Sequence, residues 1–182
     1  VKSGVYGNSP YTLQTGGCGV QGEYIQITPE FLTGYPTMEN IFGPPGQVFV
    51  HEWAKYRYGI FEEFGYPGDT KYPLFYFKAQ WTMEGQVNKI TPNFCTNNDL
   101  QDFTMEDLVT GGSCNYDAIT GLLDLNCIPV FNPNNIIKSS IMALPYLQSN
   151  DQFCDDTEVL MHRSDDPNKQ NDMCNQQSTF EV

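Results

Sequence analysis

Val48-Phe49-Val50-His51-Glu52-Trp53-Ala54-Lys55-Tyr56-Arg57-Tyr58-Gly59-Ile60-Phe61-Glu62-Glu63 is the stretch on which the reading of this chain turns. It follows the His-Glu-x-x-His pattern, in which two histidines four apart on one helical face grip Zn²⁺ and the glutamate activates a metal-bound water. Here the second gripping position is Lys55. An ammonium group has three donors and no lone pair, so it cannot ligate a metal unless it loses its proton. The rest of the pattern stands: Gly59 permits a tight helix exit, and Glu62 lies where an acidic third ligand would approach. The spacing predicts a helix from about residue 48 to 59. Val50, Trp53, Ala54 and Tyr58 fall on one side of it as a core-facing stripe, with His51, Glu52 and Lys55 on an adjoining arc. Tyr56, Tyr58, Phe61 and Phe64 read as packing rather than recognition.

A His-Glu pair on a helix is common without any metal, so the flanks carry the weight. They run Gly16-Gly17-Cys18-Gly19, then Gly22-Glu23-Tyr24-Ile25-Gln26-Ile27-Thr28-Pro29-Glu30-Phe31-Leu32, then Gly43-Pro44-Pro45-Gly46-Gln47 into the helix. Near the other end stand Lys138-Ser139-Ser140-Ile141-Met142, Phe153-Cys154 and Met173-Cys174-Asn175-Gln176-Gln177-Ser178-Thr179-Phe180-Glu181-Val182. This order resembles the N-terminal domain of the calcium-activated chloride channel regulator family, closely at both flanks and poorly over about residues 64–130. The resemblance implies an α+β, zincin-like metalloprotease domain, present in part over residues 1–182, as part of a secreted or cell-surface protein. It implies that residues 48–63 form a degenerate zinc-binding helix and residues 90–130 a cysteine-containing subregion in a loop-rich extension. By position, His51 would be the first zinc ligand, Glu52 the general base and Glu62 the third ligand, where the family usually has Asp. Lys55 departs from the family outright. Ser140-Ile141-Met142 resembles the methionine turn under the metal of many zincins; alone, an Ile-Met pair is ordinary core.

Removing a divalent ion from such a site leaves Glu52 and Glu62 facing each other in a partly dry cleft. A lysine at the vacated ligand position would neutralise them. The expected function is therefore a catalytically impaired metalloprotease-like domain, with zinc weak or absent, acting through binding and precursor architecture. Two alternatives stand beside it: an active self-cleaving zinc metalloprotease that recruits a substitute ligand such as His162 or Glu63, and a disulfide-stapled extracellular interaction module. Read by itself, His162 is a solvated loop histidine.

Composition narrows the partners. With 22 acidic against 9 basic residues and a net charge of −13, nucleic acid and anionic membrane surfaces are repelled. No run approaches the roughly 18 apolar residues that span a bilayer, so any effect on a channel is regulatory. Partners are expected to be a chloride channel or other extracellular proteins, reached through a parent chain. Absence of an initiator Met and of a signal-peptide pattern at Val1 suggests a piece of a longer precursor. Cys18, Cys95, Cys114, Cys127, Cys154 and Cys174 make an even set without a Cys-x-x-Cys pair, which reads as three disulfides in an oxidising compartment. Cys154 and Cys174 are the expected local pair, with Cys95, Cys114 and Cys127 sharing a subregion and Cys18 reaching one of them.

Local signals are few. Tyr24 to Ile27 alternates as a strand does, and Thr28-Pro29-Glu30 opens a short helix that Gly34 ends. Thr104-Met105-Glu106-Asp107 offers a weaker helix cap closed by Gly111-Gly112. With 16 Gly and 12 Pro, the remainder is expected to be rich in turns.

Overall fold

The computed structural model describes residues 7–34, 37–97, 103–107, 109–115, 123, 124, 126–131, 137–144, 147 and 149–182. Parts of the 90–130 subregion therefore lie outside the described residues. In chain order the elements are β1 (Tyr11–Leu13), β2 (Tyr24–Gln26), α1 (Pro29–Thr33), α2 (Thr37–Phe42), α3 (Pro45–Tyr58), β3 (Phe75–Thr82), β4 (Gly85–Pro92), β5 (Phe103–Asp107), β6 (Cys127–Phe131) and α4 (Lys169–Met173). The strands form three separate antiparallel ribbons, β1-β2, β3-β4 and β5-β6, so the class is α+β. A two-stranded ribbon is marginal alone. Segments without regular structure and three disulfides must therefore hold much of the molecule together.

α1 forms as its sequence dictates: the Thr28 hydroxyl accepts from the Phe31 N–H, Pro29 occupies the first turn, and the Gly34 N–H closes on the Glu30 carbonyl. α3 begins earlier than the apolar pattern suggested, at Pro45, because a proline in the first turn costs no hydrogen bond. It ends at Gly59, whose left-handed backbone (φ 65°) lets its N–H reach the Lys55 carbonyl. That glycine is fixed twice over, since a Cβ there would also collide with the Val20 backbone. The loop around Val20 completes the cap: Gly22 N–H donates to the Tyr56 carbonyl at 2.8 Å and Gly19 N–H to the Gly59 carbonyl at 3.2 Å.

Thr104 to Asp107 belongs to strand β5, paired Asp107 to Cys127 through Phe103 to Phe131, rather than to a helix. The Asp107 carboxylate instead caps the following turn, accepting from the Val109 and Thr110 N–H groups at 2.8 Å each. Capping chemistry is present, one turn later than expected.

All six cysteines are bridged, but not as proximity in sequence suggested. The pairs are Cys18–Cys174, Cys95–Cys154 and Cys114–Cys127, with Cα separations of 5.1, 6.5 and 5.7 Å. Cys154 is drawn away from Cys174 because it packs in a buried cluster with Phe94, Cys95, Ile137, Ala143, Leu144 and Leu160. Cys174 closes α4, which is tied to the segment after α3 by Gln170, and so meets the loop that caps Gly59.

Candidate functional site

The buried side of α3 is its polar side. Val48, His51, Glu52, Ala54 and Lys55 are buried, whereas Phe49, Val50, Trp53 and Tyr58 are 40–54% exposed. Of the stripe expected to face the core, only Ala54 does so. The reversal has a physical cause: the charges on this helix find partners inside the fold, and once paired they can be taken from water.

His51 is fixed by a long-range contact. Its Nδ1 lies 2.9 Å from the Ile141 carbonyl, which can only accept, so Nδ1 carries the proton and Nε2 presents a lone pair. Burial, then the Lys55 charge, pushes its pKa below the usual histidine value, so the ring is neutral. Nε2 stands 3.8 Å from Glu52 Oε1. The carbonyl that orients His51 sits on a turn built from buried polar groups. Ser139 Oγ donates to the Cys95 carbonyl, Ser140 Oγ accepts from the Met142 N–H, and Asn150 Oδ1 accepts from the Ser139 N–H. Met142 is fully buried there, against Ala54 of α3 and Ile60.

Lys55 Nζ donates to Glu62 Oε1 at 2.6 Å and lies 3.6 Å from Glu52 Oε2, a charge contact without a hydrogen bond. Both Lys55 and Glu62 are buried. Burial opposes the charge on Lys55, but Glu62 and then Glu52 outweigh it and raise its pKa above lysine's ordinary value. Burial likewise opposes the Glu62 carboxylate; the ammonium outweighs it and brings Glu62 down to about 2. The pair is thus ionised throughout the physiological range.

Glu62 is delivered by the segment that leaves Gly59. Gln170 Oε1 accepts from the Phe61 N–H at 2.8 Å, the Gln170 N–H donates to the Glu62 carbonyl at 3.2 Å, and the Glu63 N–H donates to the Met142 carbonyl at 3.1 Å. Gln170 lies more than a hundred residues from Phe61 and carries no motif, so no local signal in the sequence marks it. His162 also differs from its expectation. Its side chain is 9% exposed rather than solvated, and Nδ1 stands 3.5 Å from Glu63 Oε1. Glu63 and His162 face each other beside the Cys95–Cys154 bridge rather than joining the His51, Glu52 and Glu62 group.

A catalytic zinc needs three protein ligands and an open position. Around His51 Nε2 the candidates are Glu62, already bound to an ammonium, and Glu52, which the same ammonium approaches. A divalent cation placed among them would meet the positive charge of Lys55. The residues present do not fit zinc while Lys55 is protonated, and its raised pKa keeps it so.

The family model described as "Calcium-activated chloride channel N terminal" matches residues 2–182, the middle of the chain included. Among curated relatives, calcium-activated chloride channel regulator 1 of Mus musculus is 35% identical over 182 residues, covering 96% of this chain and 18% of the relative. Regulator 1 of Homo sapiens is 34% identical over 180 residues, with the same two shares, and regulator 2 of Homo sapiens is 34% identical over 181 residues, covering 98% and 17%. This chain thus spans less than a fifth of the length of those relatives. No solved structure matches it.

Proposed function

The chain belongs to the calcium-activated chloride channel regulator family, and from that premise we propose that it is a metalloprotease-like, zincin-type domain that has lost peptide hydrolysis. The observation that carries this reading is the 2.6 Å contact between Lys55 Nζ and Glu62 Oε1 within a buried cluster that also contains His51 and Glu52. An internal ammonium stands where the family pattern calls for a cation, and it neutralises the same two carboxylates. What it cannot do is coordinate a water and bring its pKa down near neutrality, since that needs a metal Lewis acid. The scaffold is kept and the reagent is gone.

In this reading Glu52, poised as a base in the family pattern, is a partner of Lys55, and His51 is held ready for a ligand that does not come. Met142 and Gly59 are structural supports of the helix that carries them. The domain acts by binding, as an extracellular part of a channel regulator, with a chloride channel or another extracellular protein as partner. Three disulfides suit that address. No helix among the described residues is long and apolar enough to cross a membrane.

Metal analysis of the purified protein tests the proposal together with a self-cleavage assay. The expected result is substoichiometric zinc and an uncut chain, with Lys55→His raising zinc affinity because it restores two imidazoles four residues apart. One equivalent of zinc lost on His51→Ala, or cleavage by the unaltered chain that Glu52→Gln abolishes, would overturn it.

A further inference from the structure

β3 and β4 leave the body of the molecule as a free ribbon. Phe75 is buried at its base, but every residue from Ala79 to Lys89 is exposed, apart from the half-buried turn residue Gly85. The base is fixed: Tyr76 OH donates to Asp166 Oδ1 at 2.6 Å, and Lys78 Nζ lies 2.8 Å from Asp165 Oδ2. No third strand among the described residues joins the sheet. A two-stranded hairpin needs a third strand, or an apolar face packed on something, to be stable in water, and the outer half of this one has neither.

What stands at its tip is apolar. Trp81 is 78% exposed, Val87 46%, and Met83 completely. Facing residues of an antiparallel pair share one face of the ribbon. The register Trp81↔Gln86 and Gln80↔Val87 therefore puts Trp81 and Val87 on opposite faces, with Met83 in the turn between them. A groove on a protein partner would cover one of these faces and leave the other in water. A lipid interface surrounds the tip and takes all three side chains out of water together.

Charge fits the same surroundings. In a chain of net charge −13, residues 75–92 hold one acid, Glu84, against Lys78 and Lys89. The two lysines face each other across the ribbon. They stand about 10 Å behind Trp81, at about 3.3 Å per residue. Lys78 is neutralised by Asp165, whereas Lys89 makes no ion pair among the described residues and can reach a lipid phosphate. Tryptophan at the level of the head groups, with lysine behind it, is how side chains settle at a membrane interface. Glu84 sets the depth. A carboxylate at the turn stays hydrated, so the tip stops among the head groups, where the unpaired outer edges of both strands also keep their water.

We propose that the β3–β4 tip is a membrane-surface contact, in which Trp81, Met83 and Val87 enter the head-group layer of a zwitterionic, phosphatidylcholine-type leaflet and Lys89 meets its phosphates. The contact does not rest on the reading given for the Lys55 centre. It needs no spanning segment, and the negative charge of the whole chain confines it to leaflets of little net charge.

The test uses the 182-residue chain with its bridges closed and phosphatidylcholine vesicles as the probe, with Trp53→Phe making Trp81 the remaining tryptophan. Vesicles should move Trp81 emission to shorter wavelength and carry the chain down on sedimentation. Trp81→Ser and Met83→Ser should each weaken partition by about tenfold or more. Glu84→Gln should strengthen it, and Phe49→Ser on the outer face of α3 should leave it unchanged. Replacing part of the phosphatidylcholine by phosphatidylserine should weaken binding at low salt. Failure to sediment with the vesicles, or binding that survives both serine changes, overturns the proposal. So does a shift of Trp81 emission that grows with protein concentration in the absence of lipid, which would assign the tip to a second copy of the chain.

Discussion

Glu62 and Glu63 are neighbours of one residue type, both buried, and each faces a buried basic side chain, yet the two pairs are built for different purposes. Glu62 meets Lys55 at 2.6 Å, whereas Glu63 meets His162 at 3.5 Å. Lysine gives a cation that persists over the whole working pH range, so the Glu62 pair is a fixed structural charge. Histidine gives a cation that deprotonation removes, so the Glu63 pair is a charge that rising pH withdraws. The segment that leaves α3 sends two adjacent, identical residues into two different environments.

The most disruptive way to probe this contrast is Lys55→Met, which leaves Glu62 and Glu52 buried without their cation. It should cost about 3–5 kcal/mol in denaturant unfolding, and adding Glu62→Leu to it should recover most of the loss because the stranded charge goes too. Failure of the second change to rescue would mean that Lys55 stabilises through packing. His162→Leu should cost less, about 2 kcal/mol, since the pair it breaks is longer and Thr179 still donates to Glu63.

A pH titration of stability separates the pairs without mutation. Burial works against the charge on His162, but Glu63 outweighs it and raises its pKa above 6.5. Its contribution is therefore complete below about 6.5 and disappears as pH rises through the higher folded value. Glu62, held at about 2 against 4.5 when free, contributes fully above about 4.5 and loses that contribution as pH falls towards 2. Urea unfolding should show a decline as pH rises above about 6.5 that His162→Gln removes, with the acid limb intact. The smallest effect is expected from Tyr58→Ser on the outer face of α3, within about 0.5 kcal/mol, because that side chain is more than half exposed. A loss above about 1 kcal/mol would show that the outer face also stabilises the fold.

What the sequence made legible was local. Thr28, Pro29 and Gly34 bound a helix by hydrogen bonds that reach no farther than four residues, and Gly59 ends α3 for the same reason. His51, Glu52, Lys55 and Glu62 converge because residues four apart on a helix are neighbours and the chain turns back after the glycine. Which face of α3 is buried was not legible. Hydrophobicity alone turns Trp53 and Tyr58 inward, while the outcome depends on Ile141 and on the segment that Gln170 holds, both distant in sequence. Disulfide pairing failed for a related reason. Loop closure becomes costlier only slowly with length, so the short spacing of Cys154 and Cys174 was a weak guide beside the packing that separates them.

The bridges that result are nested: Cys114–Cys127 lies within the span of Cys95–Cys154, which lies within that of Cys18–Cys174. The outermost closes across 156 positions of sequence. A single proteolytic nick anywhere between Cys18 and Cys174 would therefore leave both fragments covalently joined. On a non-reducing gel such a product would remain one species, and only a thiol in the sample buffer would release two bands. Latent cleavage in this domain is thus invisible to any separation by size that keeps its crosslinks.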